Sequence, residues 1–569
     1  MQDAKSSLKA YKDQFNSLRS DRKTWDNMFQ LLGEYVSLMK QNFQSSPTSG
    51  EFLTDEIFDS TAVFAAHNSA AALLGMLWPG TAKQAIEIIP PDDLETTTDT
   101  AKFYERMTSR TCAAMDDPNA NLSIALIEYM QDQLIFGTSG VGVERGDESI
   151  LLFRPYGVKE MYVDEGRNGR VSDIYLCFNW TVKRVVAEYG IENVSEATRQ
   201  KYEQNKWNEL VEILIVLTQR VDFKAEDGVL AMPVMSLHIE SKADHKLKES
   251  GFSELPIKVG RFKKLNYERY GRSPAMDALP DIKEANALRE AIIVATGKIL
   301  DMPKGVFNDG MLGGGIIDSS AGAITVFNSS GGVGSGPPIF DIGTPPDVSA
   351  ALSRLEDLKN SIAQHFHLDR LIDFNNQNQM TFGEAQIRDQ IRNASLTSLF
   401  SRQISEVLTP LITRVVNMLW QLGEFGVIKG SEQEAERAEL GKKIEYIPDV
   451  LVKRIEQGEE IFSVSYKTKA SNAQRAEEYM GIVDVLGFSI QAMQVDPSVR
   501  HRVDLHEGVK RISEIRGLPV GIIRENDLVE KLQDEDKQAQ AGAQEMEALT
   551  AGAGIVDSLA SANKAAMAR

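Results

Sequence analysis

Apolar positions in the first 43 residues recur at helical spacing. Leu8, Phe15, Leu18, Trp25, Met28, Leu31, Leu32 and Tyr35 share a face among charges, which predicts helix over 1–43. Ser45-Ser46-Pro47-Thr48-Ser49-Gly50 reads as a linker. Asp59 or Ser60 caps the next predicted helix, which Pro79-Gly80 ends. Ala85 to Ile89 alternates briefly like a strand. Residues 92–137 read as mainly helical, with a break at Asn119 to Asn121 and an end at Phe136-Gly137-Thr138-Ser139-Gly140.

From there the apolar period changes from helical to alternating. Val141 to Glu144 and Ile150 to Phe153 flank a turn at Gly146-Asp147-Glu148. Met161 to Val163 and Val171 to Phe178 flank Asn168-Gly169, a strong hairpin signal. Val182 to Tyr189 reads as a short helix. Leu210 to Val221, Val234 to Glu240 and Pro256 to Phe262 complete a strand-rich module over 141–265.

The helical period returns at Tyr270-Gly271-Arg272-Ser273-Pro274. Ser273 and Pro274 suit a helix cap and first position, and the helix extends to Leu300. Pro280 predicts a kink or a later start. Lys304 to Gly343 is loaded with glycine, which forbids a long helix. Ile316-Ile317, Ala323 to Phe327 and Ile339-Phe340 read as short strands within it. A second helix runs from Val348 to His367, followed by the amide tract Asn375-Asn376-Gln377-Asn378-Gln379. Phe382 to Phe425 is helical with Pro410 as a kink. Ile444 to Glu456 is mixed, Phe462 to Tyr466 is a strand, and 470–533 is helical with breaks at Gly487, Asp496-Pro497 and Gly517-Leu518-Pro519. Asp534 to Arg569 is a helical or disordered extension. The fold class is therefore α+β, mainly helical.

Charge narrows the function. Of 569 residues, 82 are acidic and 62 basic, giving a net charge of −20, so tight DNA binding by bulk charge is disfavoured. Cys112 and Cys177 form no metal spacing and fit a reducing compartment. The N-terminus lacks an apolar signal core. The apolar window Thr61 to Trp78 carries His67, Asn68 and Ser69, so it reads as a buried helix and not a membrane span.

No phosphate-cradling G-x-x-x-x-G-K-[ST] loop and no G-x-S-x-G occurs. His365-Phe366-His367-Leu368-Asp369 is the one metal-ligating pattern. His365 and Asp369 share a helical face, but further ligands are missing. Lys263, Lys264, Arg269 and Arg272, with Lys258 and Arg261 beside Phe262, Tyr267 and Tyr270, are candidate phosphate contacts. The alternative is a solvated strand and loop. The residues point to no catalysis, no cofactor and no bound metal.

An ordered series of segments resembles the portal, or head-to-tail connector, proteins of short-tailed bacteriophages. It comprises Phe58-Asp59-Ser60-Thr61-Ala62, Leu77-Trp78-Pro79, Ile135-Phe136-Gly137-Thr138-Ser139, Gly169-Arg170, Tyr270-Gly271-Arg272-Ser273-Pro274 with Asn286-Ala287-Leu288, and Thr381 to Arg388. The resemblance implies a ring, typically of twelve copies, at one capsid vertex of the virion, assembled in the host cytoplasm. Double-stranded DNA passes through its channel during packaging and ejection.

It divides the chain into a wing (1–268, with the β module 141–265), a first stem helix (269–300), a clip (301–347), a second stem helix (348–367), a tunnel loop (368–381), a wing return (382–465), a crown (466–533) and an extension (534–569). Asn375, Asn376, Gln377, Asn378 and Gln379 would face DNA. The implied partners are other copies of the chain, the terminase or packaging motor, the major capsid and scaffolding proteins and a tail adaptor, with no membrane. Competing readings are a metal-dependent nucleic-acid-processing enzyme at His365 and Asp369, and a multidomain scaffold or adaptor.

Overall fold

The structure, a computed structural model, describes residues 2–37, 57–91, 93–94, 97–220, 231–308, 317–328, 339–342, 347–371, 401–429, 445–466 and 481–492, with isolated positions at 479, 508, 509 and 512. The chain separates into two units. The larger comprises Met1–Ile88, Met107–Glu445 and Val464–Ala470; the smaller comprises Ile89–Arg106, Tyr446–Ser463 and Ser471–Arg569.

The larger unit opens with two helices where one was expected, α1 (Gln2–Asp21) and α2 (Lys23–Tyr35). Arg22 sits between them and is buried. It donates to the carbonyls of Val158 (2.7 Å) and Met161 (2.9 Å), pairs with Asp26, and lies 3.6 Å over the Tyr162 ring. Helix α3 (Thr61–Leu77) follows, with the Asp59 carboxylate accepting from the Thr61 amide at 2.9 Å. Then come α4 (Ala82–Ala85), β1 (Ile86–Ile89), α5 (Thr98–Met115) and α6 (Leu122–Phe136). The expected break is a 3-10 turn at Pro118–Ala120 closed by Asn121 in the left-handed region.

The β module is two sheets. Strands β2 (Thr138–Glu144), β3 (Leu152–Tyr156), β4 (Met161–Glu165) and β5 (Val171–Thr181) precede helices α7 (Val182–Tyr189) and α8 (Glu196–Glu203). Strands β6 (Leu210–Gln219), β7 (Val234–Glu240), β8 (His245–Phe252) and β9 (Ile257–Arg261) follow. One sheet has the order β3-β2-β9 and the other the order β4-β5-β6-β7-β8.

Strand β8 was not expected. Its Lys246, Lys248 and Glu249 carry no alternating apolar signal, as suits a strand at a sheet edge. Pairing in register puts Tyr162, Tyr175, Val216 and Leu237 on one face, where Phe15 and Leu18 of α1 cover them. On the opposite face Met161, Val163, Ile174 and Leu176 join the main core, and α7 covers Val211 and Ile213.

Helix α9 (Pro274–Leu300) is unbroken by Pro280 and starts at Pro274. A three-stranded sheet, β10 (Lys304–Asn308), β11 (Ile324–Asn328) and β12 (Ile339–Asp341), separates it in sequence from α10 (Ser349–His365). Beyond residue 400 a helical run passes Pro410 through a π turn at Ile404–Leu408. Pro410 offers no N–H, and the wider turn relieves its ring against the preceding carbonyls. The amide tract 375–379, residues 382–400 and the extension 534–569 lie outside the described residues.

In the smaller unit the Tyr104 hydroxyl donates to the Ile461 carbonyl (2.6 Å) and Arg106 donates to the Tyr446 carbonyl (3.2 Å). Helix Asp449–Gln457 carries Arg454, which pairs with Asp93 (2.6 Å) and Glu459 (3.1 Å). Residues 481–492 are helical straight through Gly487, where a break was expected. Gly487 faces open space, and a single exposed glycine costs only about 1 kcal/mol relative to alanine.

Candidate functional site: the helix pair and the sheet between its arms

The segment Tyr270 to Pro274 is a structural joint. Gly137, at φ +78°, and Gly271 cross backbone to backbone, so a Cβ on either would collide with the other's carbonyl oxygen. The Gly271 amide donates to Thr138 Oγ1 at 2.7 Å. Ser273 Oγ donates to the Ile135 carbonyl (2.7 Å) and accepts from the Met276 amide (3.0 Å), capping α9 as the sequence predicts. Tyr270 is buried, with ring centroids 5.8 Å from Trp25 and 6.2 Å from Phe29. The long helix thus leaves the β module from a crossing that only glycines allow.

Beneath the joint lies a buried charge. Arg261, fully buried on β9, pairs with Glu165 of the hairpin and with Glu406 of the π turn (3.3 Å), and donates to the Gly169 carbonyl (2.8 Å). Next to it, a side chain at Gly260 would collide with the Tyr129 hydroxyl. That hydroxyl donates to Gln403 Oε1 (2.6 Å) and accepts from Gln133 (3.0 Å).

Helices α9 and α10 run antiparallel. Ala275, Ala278, Leu279, Ile282 and Ala285 share a core with Leu355, Leu358, Ile362 and Phe366. Arg354 forks onto Glu284 (2.9 and 3.1 Å), and Ser361 donates to Asp281 (2.6 Å). Asn286 Oδ1 accepts from the amides of Phe58 (2.7 Å) and Asp59 (3.2 Å), tying the start of α3 to α9. Toward its C-terminus α9 loses this cover. Ala287 and Ala291 are exposed, with Ile293 and Val294 about half exposed and Leu300 83% exposed.

The glycine-rich stretch folds around β10. Strand β11 pairs with it in parallel, Lys304 opposite Ile324 through Asn308 opposite Asn328, and β12 pairs antiparallel, with Val306 opposite Ile339. The strand at Lys304–Asn308 was not foreseen, because only Val306 and Phe307 mark it. Ile317, read as strand, lies outside the sheet, and Ile316 is not among the described residues. Gly305 is required: the Phe340 ring occupies the space of its absent side chain.

Each candidate phosphate contact has a carboxylate partner. Lys263 pairs with Asp277 (2.9 Å) and Lys264 with Glu165 (2.9 Å). Arg269 pairs with Asp21 (2.9 Å) and Asp164 (3.0 Å), and Arg272 forks onto Glu268 (2.6 and 3.0 Å) while lying over the Trp25 ring. A phosphate would have to displace these partners. His365 faces Asp281 at 3.8 Å, and the helix stops there because His367 turns left-handed at φ +57°. Asp369 lies in a separate short helix, Leu368–Leu371. Among the described residues no group of three His, Cys, Asp or Glu side chains is placed to hold a metal, and no helix is long and apolar enough to cross a membrane. Asn375, Asn376, Gln377, Asn378 and Gln379 lie outside the described residues.

Residues 8–523 match the family profile described as bacteriophage head to tail connecting protein. The chain is 24% identical over 419 residues to a portal protein of Salmonella phage epsilon15, covering 71% of this chain and 69% of that one. It is 21% identical over 560 residues to a probable portal protein of Bordetella phage BPP-1, covering 96% and 94%. A chain from the solved virion of a native gene transfer agent (GTA) particle aligns over 73% of this chain and 96% of that one. Its identity is 12% and its TM-score 0.29, too low to carry an argument.

Proposed function

We infer the working parts of this molecule from one premise: the chain belongs to the bacteriophage head to tail connecting proteins, and it acts as a phage portal protein. It is a component of the virion that joins head to tail and assembles with copies of itself and with capsid, tail and packaging proteins. The observation that carries this function is the family match across 8–523, nearly the whole chain.

The finer reading is ours. Twelve copies form the ring. The β module and the helices before 268, with 382–465, make the wing. Helices α9 and α10 are the stem, with the exposed Ala287, Ala291, Ile293 and Val294 turned to a neighbouring copy. The sheet β11-β10-β12 is the clip, whose two edges, unpaired among the described residues, suit strand pairing between copies. Residues 368–381 line the channel, and 466–533 form the crown. A terminase or packaging motor, major capsid and scaffolding proteins and a tail adaptor dock on the outside, and assembly takes place in the host cytoplasm. The chain supplies geometry to moving DNA and catalyses nothing. Lys263, Lys264, Arg269 and Arg272 would meet phosphate only by exchanging their carboxylate partners.

A C-terminal tag on this chain, gold-labelled in assembled particles, tests the reading. The label should mark one vertex per particle. Label on many vertices, or none on purified virions, contradicts it.

A further inference from the structure

Strands β5 and β6 stay paired as far as Thr181 opposite Leu210, and the chain between those two residues leaves the sheet as α7 and α8. Residues 182–209 fold back over one face, where Val182, Val185 and Tyr189 pack on Val211 and Ile213. The Val182 amide donates to the Glu209 carbonyl (2.9 Å) and closes the base of this excursion. The two helices therefore form a cap that can lift without breaking any strand pairing.

Under the cap lies a polar row. Ser236, His238 and Glu240 alternate along β7 and so share one face. Glu240 holds α8: Ser195 Oγ (2.8 Å) and Thr198 Oγ1 (2.6 Å) donate to its Oε1. His238 holds the end of α7: Nδ1 bonds the Tyr189 hydroxyl (2.7 Å), and Nε2 bonds the Ser236 hydroxyl (3.2 Å). The Tyr189 ring stands edge-on to the imidazole at 5.6 Å, with Trp180 stacked behind it.

The groups around His238 offer a proton no compensation. In register, Lys248 of β8 stands opposite it on one side and Ile215 of β6 on the other. Glu188 and Arg184 of α7 act on Tyr189, whose hydroxyl burial holds above its ordinary range, so it stays neutral. Glu240, two residues along, is engaged with α8, and His245 bonds the Asn193 carbonyl (2.9 Å). Among the described residues no carboxylate bonds to the His238 ring. Burial, and after it the Lys248 charge, lower its pKa from 6.5 to about 4. A lifted cap would let water reach the imidazolium, so a proton favours the open cap over the closed one.

We propose that residues 182–209 are an acid-released cap, in which protonation of His238 lifts α7 and α8 from β7 while the five-stranded sheet stays paired. This device goes beyond the portal reading and does not depend on it.

The test is hydrogen exchange by mass spectrometry on the full chain in its assembled form, with each rate scaled to the intrinsic rate at its pH. With 6.5 for the open cap and about 4 for the closed one, opening should rise about thirtyfold between pH 7.5 and pH 5. The rise should be confined to amides of 182–209. His238→Gln, which keeps a neutral partner for Tyr189, should abolish it. Lys248→Glu, a change at an exposed position that supplies the missing carboxylate, should shrink it. An undiminished rise in either variant, a rise spread over β5, β6 and β7, or no rise in the unaltered chain overturns the proposal.

Discussion

The tightest constraints are held by single residues that look unremarkable in the sequence. Gly137 and Gly271 are 134 positions apart, yet their backbones touch. The tract Tyr270 to Pro274 was legible as a helix start, but its glycine's role was not, because the partner is distant. Gly271→Ala should cost about 1–3 kcal/mol, the range for overpacking a closed site. Thermal melting should show it as a lower Tm, while Gly297→Ala, on α9 with open space around it, should leave Tm unchanged or slightly raised.

His238 gives a second residue-scale prediction. It is bonded to the Tyr189 hydroxyl (2.7 Å) and Ser236 (3.2 Å) and lies opposite Lys248 on β8. Burial, with the Lys248 charge adding, pushes its pKa down from 6.5 to about 4. The folded state therefore resists a proton that the unfolded chain accepts. This contribution is whole above pH 6.5 and fades as pH falls toward 4, by roughly 3 kcal/mol. His238→Gln should flatten the fall in Tm between pH 6.5 and 4. An equal fall in both proteins would show that other groups govern it.

At the scale of elements, local chemistry decided what could be read. The β4–β5 hairpin followed from Asn168-Gly169, and Gly169 does take the left-handed turn, at φ +71°. Helix α7 matched its expected span, Val182–Tyr189. Strand β8 hid because an edge strand is charged, and β10 hid because its second residue is a glycine packed against Phe340 and only two apolar residues follow. The described part of the glycine-rich stretch is thus a sheet built around small residues, with residues 309–316 and 329–338 outside the described residues. Deleting 310–336 removes β11 and opens an edge of β10. The deleted chain should keep its main core but lose ring assembly, seen as a monomer-sized peak in size-exclusion chromatography. Normal rings from it would show that this sheet is dispensable for assembly.

At the scale of the whole molecule, the proposed role needs geometry and no strong attraction to DNA. The acidic excess means twelve copies would carry about −240, which opposes tight capture of DNA and favours its passage. Neutral amides at Asn375 to Gln379, in the proposed place beside DNA, would suit the same purpose, since amides release no counterions on meeting phosphate. Asn375→Lys with Gln379→Lys should therefore slow packaging or ejection in a DNA-translocation assay; an unchanged rate would place the tract away from DNA. The ordered run of segments made the family legible in the sequence, whereas the proposed ring would be built from many copies and leave no signature within one chain. The most direct measurement is the mass and projected shape of the purified full chain, by light scattering and negative-stain microscopy. With a chain mass of 63.0 kDa, the account predicts closed rings of several hundred kilodaltons with a central hole. A monodisperse monomer or a compact dimer without a hole would contradict it.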